Sequence, residues 1–176
     1  MKVFSAPGYL IANARAEVKV VYTGFLAFTA VGLVTMLALQ VGRIGFSLEG
    51  VATHYRGGDF GEEIRFARTF GELVEVTHFH AFTMGTVYLI LAHLFVATVV
   101  PAWLRWGTIV GTLVALLADL GGAWLVRYVS AGFSGLILAS WVAEWVGLSL
   151  LIGVPLLQMW RPGGAAVDDE DDLPEP

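Results

Sequence analysis

A run of 29 residues, from Val76 to Leu104, contains no Asp, Glu, Lys or Arg, yet it holds three of the four histidines of the chain. An α-helix rises about 1.5 Å per residue, so about 20 apolar residues cross the hydrocarbon core of a bilayer. Ionisable side chains within such a run are costly in hydrocarbon and usually have a function. The run therefore predicts a membrane-spanning helix and makes its histidines the first candidates for a binding site.

The composition extends this interpretation to the whole chain. Of its 176 residues, 57% are hydrophobic and only 14% are charged, which is too apolar for a soluble domain of this length. Three further apolar segments accompany the first, and none shows the strict alternation of a membrane β-strand. We therefore predict an all-α integral membrane protein, a bundle of four transmembrane helices within residues 1–163. The predicted spans are about residues 20–42, 76–100, 106–126 and 133–160.

Two polar segments flank these spans. Residues 43–75 form a charged loop, for which we predict a turn at Tyr55–Asp59 and a short interfacial helix at residues 60–73. The loop is either a solvated connector or a lid over the end of the second span near His78. Residues 164–176 form an acidic tail whose composition predicts disorder unless a partner binds it.

The orientation follows from the basic residues only in part. An even number of spans places both termini on one side, and the ten Lys and Arg residues divide equally between the two sides. The loop mixes its arginines with acids, whereas the other group has few acids before the tail, which favours cytoplasmic termini in a bacterial inner membrane with loop 43–75 on the opposite side. The expected partners are the lipid bilayer and other membrane subunits or a homodimer mate, and no nucleic acid.

The absence of cysteine limits the chemistry of any metal site. The chain has no Cys, which excludes disulfides, thiolate sites, iron–sulfur clusters and covalently attached c-type haem. A metal would therefore need His, Met or carboxylate ligands.

Helical geometry separates the three histidines of the second span. At about 100° per residue, His78 and His93 return to within about 60° of one face and lie about 22 Å apart along the axis. His80 lies about 140° from His93 and shares a face with Thr77 and Met84. We interpret the first pair as a cofactor face and the second group as a packing face.

The pair His78-x14-His93 resembles the paired-histidine helices of the membrane cytochrome b superfamily. In that superfamily, two such helices of a four-helix bundle hold two b-type haems. The resemblance implies that His78 and His93 bind haem iron in haem b, at the outer and inner leaflet, with Gly85 letting the porphyrin approach. The other spans contain no histidine, so the second axial ligand would come from a symmetry mate or another subunit.

Two further roles also fit this pair of histidines. Single ligation would suit a chlorophyll-type tetrapyrrole, and histidines that are hydrogen-bonded within a packed bundle would bind no cofactor.

Four acidic residues complete the candidates. Asp119 and Glu144 lie near the middle of their predicted spans, and with His93 they predict either a proton path and second layer around the cofactor or a buried hydrogen-bonded cross-link. Trp141 shares a helical face with Glu144 and is included in that layer. At the membrane edge, Glu72 and Glu75 would accept protons from a quinol or stabilise a helix N-terminus.

The sequence thus predicts a haem- or tetrapyrrole-binding subunit of an electron-transfer complex, and no complete active site indicates an enzyme. One alternative is a cofactor-free accessory subunit of a respiratory or photosynthetic complex. Another is a quinone- or proton-handling membrane protein that uses Glu75, His78, Asp119 and Glu144.

Overall fold

The computed structural model describes residues 9–60 and 63–161, so the acidic tail lies outside the described residues. Four of the described helices are long and apolar enough to cross a membrane, which confirms the predicted all-α transmembrane architecture. They are α1 (Ala16–Arg43), α3 (Phe70–Val96), α4 (Ala102–Trp124) and α5 (Ser134–Met159). A short helix, α2 (Leu48–Arg56), lies between α1 and α3, and a π-helical turn, Leu125–Val129, extends α4.

The loop between α1 and α3 is folded. After α2, the strands β1 (Gly58–Phe60) and β2 (Glu63–Arg65) pair antiparallel. The interfacial helix predicted at residues 60–73 was wrong, because the helix of this loop lies before the hairpin rather than after it.

Capping residues explain this placement. The hydroxyl of Ser47 accepts a hydrogen bond from the Gly50 amide at 2.9 Å and starts α2, and Gly57, at a φ of 78°, ends it. Thr69 and Glu72 form a reciprocal capping box that starts α3 at Phe70, six residues before the apolar run begins. Such boxes satisfy two backbone donors that a helix start leaves unpaired.

Hydrogen bonds fasten the folded loop to the end of α4. Arg56 donates to the carbonyl of Val126 at 3.0 Å, and Arg127 donates to the carbonyl of Arg68 at 2.7 Å. The loop therefore forms a roof over one end of the bundle, which we call the loop side. The lid over His78 stays a prediction, because His78 itself is exposed.

Helix α5 is the central element of the bundle. It packs against α1, α3 and α4, and 44% of its apolar stretch is buried, against 6% for that of α1. One apolar cluster, which includes Phe95 and Leu151, fills the bundle towards the end where the described chain begins. A second cluster around Trp141 lies under α2 on the loop side.

Tryptophan indoles join all four spans. Each of four Nε1 groups donates to a side chain on another helix, at 2.9 to 3.2 Å. These bonds link Trp124 to Thr77, Trp141 to Asp119, Trp145 to Gln40 and Trp160 to Thr23. Polar side chains that bond across helices in this way stabilise helix association in hydrocarbon.

The α4–α5 pair approaches closely because of glycine. A Cβ atom added to Gly147 would collide with the Thr112 side chain, and one added to Gly122 would lie 2.8 Å from Ile137. Small residues at such crossings let helix backbones come together in membranes.

We expect Gly147→Ala to lower the free energy of unfolding by about 1–3 kcal/mol, because the methyl group overpacks the contact with Thr112. Thermal unfolding of the detergent-purified protein, followed by circular dichroism, measures this. Gly153→Ala on the same helix is the control, since no other atom lies within 4 Å of its added Cβ. Equal thermal stabilities of the two variants would contradict the close α4–α5 approach.

Candidate functional site

The predicted cofactor residues lie on the outside of the chain. His78, Phe82, Gly85, Leu89 and His93 are all exposed and follow one another along one side of α3, which we call the outward face. The ring of Phe82 packs against the ring of His78, with centroids 5.1 Å apart. Within residues 9–60 and 63–161, no hydrogen bond is made to the imidazole of His78 or of His93.

The predicted second layer lies elsewhere, inside the bundle. Trp141 is 2% exposed and donates from Nε1 to Oδ1 of Asp119 at 2.9 Å. Glu144 is 1% exposed, and its Oε1 has no hydrogen-bond partner among the described residues. Of the residues expected around the cofactor, only Gly85 shares the outward face with the two histidines.

The structure does not form the predicted cluster of His93, Asp119 and Glu144. Asp119 instead lies near His80 and Glu144. The reason is the antiparallel register of the helices, because Asp119 lies seventeen residues into α4 and His80 lies sixteen residues before the end of α3. Both side chains are therefore at the depth of the loop side, whereas His93 is near the opposite end of α3.

His80 and Asp119 line a cavity of about 400 Å³, which we call the loop-side cavity. The cavity is lined by residues of α1, α3 and α4, by Trp141 of α5, and by His54 and Tyr55 of α2. Thr77 and Met84 also line it. The Thr77, His80 and Met84 stripe was predicted to be a packing face. All three residues are half-buried and border the cavity, and Thr77 also packs against α4, since it accepts a hydrogen bond from Trp124.

The ring of His80 is held in one orientation. Its Nδ1 lies 2.9 Å from the carbonyl oxygen of Val76, and since a carbonyl can only accept, Nδ1 carries the proton. With the Nδ1 proton alone, the ring keeps a lone pair on Nε2 that can accept a hydrogen bond. In the same way, the bond from Trp141 occupies Oδ1 of Asp119 and leaves Oδ2 for another group. The cavity therefore contains two positioned acceptor atoms.

The roof of the cavity carries a neutral histidine. Burial lowers the pKa of His54 to about 4, with help from the positive charges of Arg68, Arg65 and Arg43 and against the negative charge of Glu72. Its Nε2 lies 3.4 Å from the guanidinium of Arg68. Because Arg68 can only donate, His54 accepts at Nε2 and stays uncharged near neutral pH.

Tyr55 adds a phenol to the cavity lining. Burial raises the pKa of its hydroxyl above the usual value, the negative charge of Asp119 raises it further, and Arg68 opposes the shift. The hydroxyl therefore stays protonated, and it can donate as well as accept.

The two acids predicted at the membrane edge have different surroundings. Glu72 accepts from the Thr69 amide at 2.7 Å and pairs with Arg68 at 3.1 Å, so it stabilises the start of α3 while its side chain borders the cavity. Glu75 is exposed and does not line the cavity. The quinol-facing role predicted for both stays a prediction.

Sequence reasoning missed Tyr55, Arg68 and Gln40 as members of this site. The capped helix α2 and the hairpin place Tyr55 and Arg68 beside the cavity. In the sequence, the capping residues Ser47 and Thr69 could have indicated that this loop is folded. Gln40 lies in the last turn of α1. It could have been recognised in the sequence as an uncharged polar side chain at the end of a span. In the part of the chain that the structure describes, no three His or acidic side chains lie close enough together to hold a metal ion.

Comparison with known proteins supports the membrane assignment. The model of a family described as a transmembrane helical domain matches residues 45–166, a range that contains α2 to α5. Searches of curated proteins and of solved structures give no match.

We expect the stability of the protein to fall as the pH drops from about 6.5 towards 4. The unfolded chain protonates His54 near 6.5 and the folded protein near 4, so the unfolded state binds more protons in this window and folding loses stability as the pH falls. Thermal unfolding in detergent at several pH values measures the decline. His54→Gln keeps an acceptor for Arg68 but does not titrate, and we expect it to flatten the decline. An identical decline in both proteins would show that His54 is not the group responsible.

Proposed function

The chain belongs to this family of transmembrane helical domains, and from the outward face of its α3 we propose that it is the membrane subunit of an electron-transfer complex. In this proposal, the outward face binds haem b through His78 and His93, and a partner chain completes the site. We place it in a bacterial inner membrane with cytoplasmic termini and the folded loop on the opposite side.

The observation that carries the proposal is the exposure of two imidazoles on one face of a membrane helix. A polar group in hydrocarbon without a hydrogen-bond partner costs several kcal/mol, so this face needs a covering group. His78 and His93 lie fifteen residues apart, about 22 Å along the helix axis, which gives each its own leaflet. Gly85 lies between them, and a Cβ there would have no other atom within 4 Å. A flat macrocycle therefore has room to approach the backbone.

The chain itself supplies only half of a bis-histidine site. Its remaining histidines are His54 in the roof and His80 in the cavity, so the second axial ligands would come from a homodimer mate or from another subunit. A bound haem would supply one-electron transfer, and the residues of α3 would hold and orient it. Single ligation would suit a chlorophyll-type tetrapyrrole.

Two other functions fit parts of the same structure. A cofactor-free accessory subunit would cover the outward face with a partner helix. The proposed quinone- or proton-handling set is divided by the fold, because Glu75 and His78 are exposed while Asp119 and Glu144 face the bundle interior. Those four residues therefore do not form a single site.

We expect the protein purified from haem-replete cells to show a Soret band and a sharp α-band in a reduced-minus-oxidised spectrum. His78→Ala and His93→Ala should each remove one spectral component, because each removes the only imidazole that this chain offers to one iron. Pyridine haemochrome analysis gives the haem content of each variant.

His80→Ala is the matched control, since it removes an imidazole from the opposite side of the same helix and should leave the spectrum intact. A colourless protein that assembles with membrane partners would overturn the haem proposal in favour of the accessory subunit. Unchanged spectra in both His78→Ala and His93→Ala would reject these ligands.

A further inference from the structure

Several residues that line the loop-side cavity are exposed, among them Arg43 and Glu72 at its rim and two apolar residues on α1 and α3. Leu39 on α1 and Val76 on α3 both line the cavity, and they are 53% and 51% exposed. Each lies one to two turns inside the loop-side end of its helix, where lipid surrounds the bundle. A molecule that enters here comes from the bilayer and brings its polar end towards His80.

Three polar groups that line the cavity suit a hydroxyl group. Nε2 of His80 and Oδ2 of Asp119 can each accept a hydrogen bond, and the Tyr55 hydroxyl can donate one. A hydroxyl donates and accepts at once, so it matches this set, whereas an ether or ester oxygen can only accept. The cavity volume of about 400 Å³ falls within the range of about 300–1,000 Å³ that is usual for small-molecule sites.

The charges around the cavity favour a neutral molecule. An anionic head group would face the carboxyl groups of Asp119 and Glu72, both of which line the cavity. A cationic head group would face Arg43 and Arg68 at the roof. Arg68 is already paired with Glu72 at 3.1 Å, which leaves it less able to bind a phosphate.

We propose that the loop-side cavity binds the hydroxyl head group of a neutral membrane amphiphile, with His80 and Asp119 as its hydrogen-bond acceptors. Trp141 positions the Asp119 carboxyl, and the apolar body of the ligand leaves between α1 and α3 into the bilayer. This site lies on the side of α3 opposite to the outward face, so it does not depend on haem binding. Two sources share this chemistry, a dihydroxyaromatic lipid and a diacylglycerol.

Isothermal titration of the full-length protein in detergent, under anaerobic conditions, tests the proposal with matched probes. Decyl-hydroquinone and its dimethyl ether have the same skeleton, but only the first donates hydrogen bonds. We expect the hydroquinone to bind about tenfold more tightly, as the loss of one to two hydrogen bonds predicts. Dioctanoylglycerol forms the second arm, and the tighter of the two hydroxyl probes identifies the source.

Variants then locate the binding. His80→Phe and Asp119→Asn should each weaken binding of the preferred hydroxyl probe about tenfold, and Asp119→Asn keeps an acceptor for Trp141 so that the fold is retained. His78→Phe makes the same change two residues away on the outward face and should leave this affinity unchanged, although it removes a haem component if the haem proposal holds. The two proposals can therefore fail separately.

Three results would overturn this inference. Equal affinity for the hydroquinone and its ether would show that the hydroxyl groups are not recognised. Equal loss of binding in His78→Phe and His80→Phe would place the ligand outside the cavity. Tighter binding of a short-chain phosphatidylglycerol than of either hydroxyl probe would identify the cavity as an anionic lipid site.

Discussion

Hydrogen bonds from tryptophan indoles link all four membrane-spanning helices of this bundle. In hydrocarbon, helices gain little from burying apolar surface against one another, because lipid tails are equally apolar. Association then depends on close packing and on polar bonds between helices. Here the indoles of Trp124, Trp141, Trp145 and Trp160 bond to side chains of α3, α4 and α1, so every span has at least one such link.

The need of polar groups in a membrane protein for hydrogen-bond partners also separates structural side chains from functional candidates. Most buried polar side chains of the bundle have partners, for example Thr112, which donates to the Thr108 carbonyl at 2.7 Å. His78 and His93 have none among the described residues, and they face outwards. His80 and Asp119 have one bond each and keep a further polar atom for another molecule. Candidate sites are therefore the places where polar groups remain incompletely paired.

The number and type of the spans could be predicted from the sequence because hydrophobicity and length determine them. The face of each histidine on α3 also followed, since angles along one helix depend only on residue spacing. The functions assigned to those faces did not follow from the angles. His80 was interpreted as part of a packing face, and the structure places it beside a cavity that residues of α1, α3 and α4 line. The distance between two spans is a tertiary property that periodicity does not contain.

The sequence also contained information on which residues of neighbouring helices lie at the same depth in the membrane. The short connection at residues 97–101 makes α3 and α4 antiparallel neighbours, so counting outwards from it places Asp119 level with His80 and far from His93. The tightness of the α4–α5 pair was less accessible, because only the packed structure shows that Gly147 faces Thr112. Register thus follows from connection length, whereas helix separation depends on which small side chains meet.

The two sides of α3 have opposite requirements, and this explains why His78 and His80 cannot share a function. Two residues along a helix turn a side chain by about 200°, so His80 faces protein groups of α4 while His78 faces whatever surrounds the bundle. The bond from Nδ1 of His80 to the carbonyl of Val76 positions His80 within the chain alone. His78 has no such support, and a rigid orientation of its ring requires a group from outside. The single chain therefore carries its histidines in two different settings. His80 lines the loop-side cavity with its ring fixed by Val76, whereas His78 and His93 lie on the outward face with no hydrogen-bond partner among the described residues.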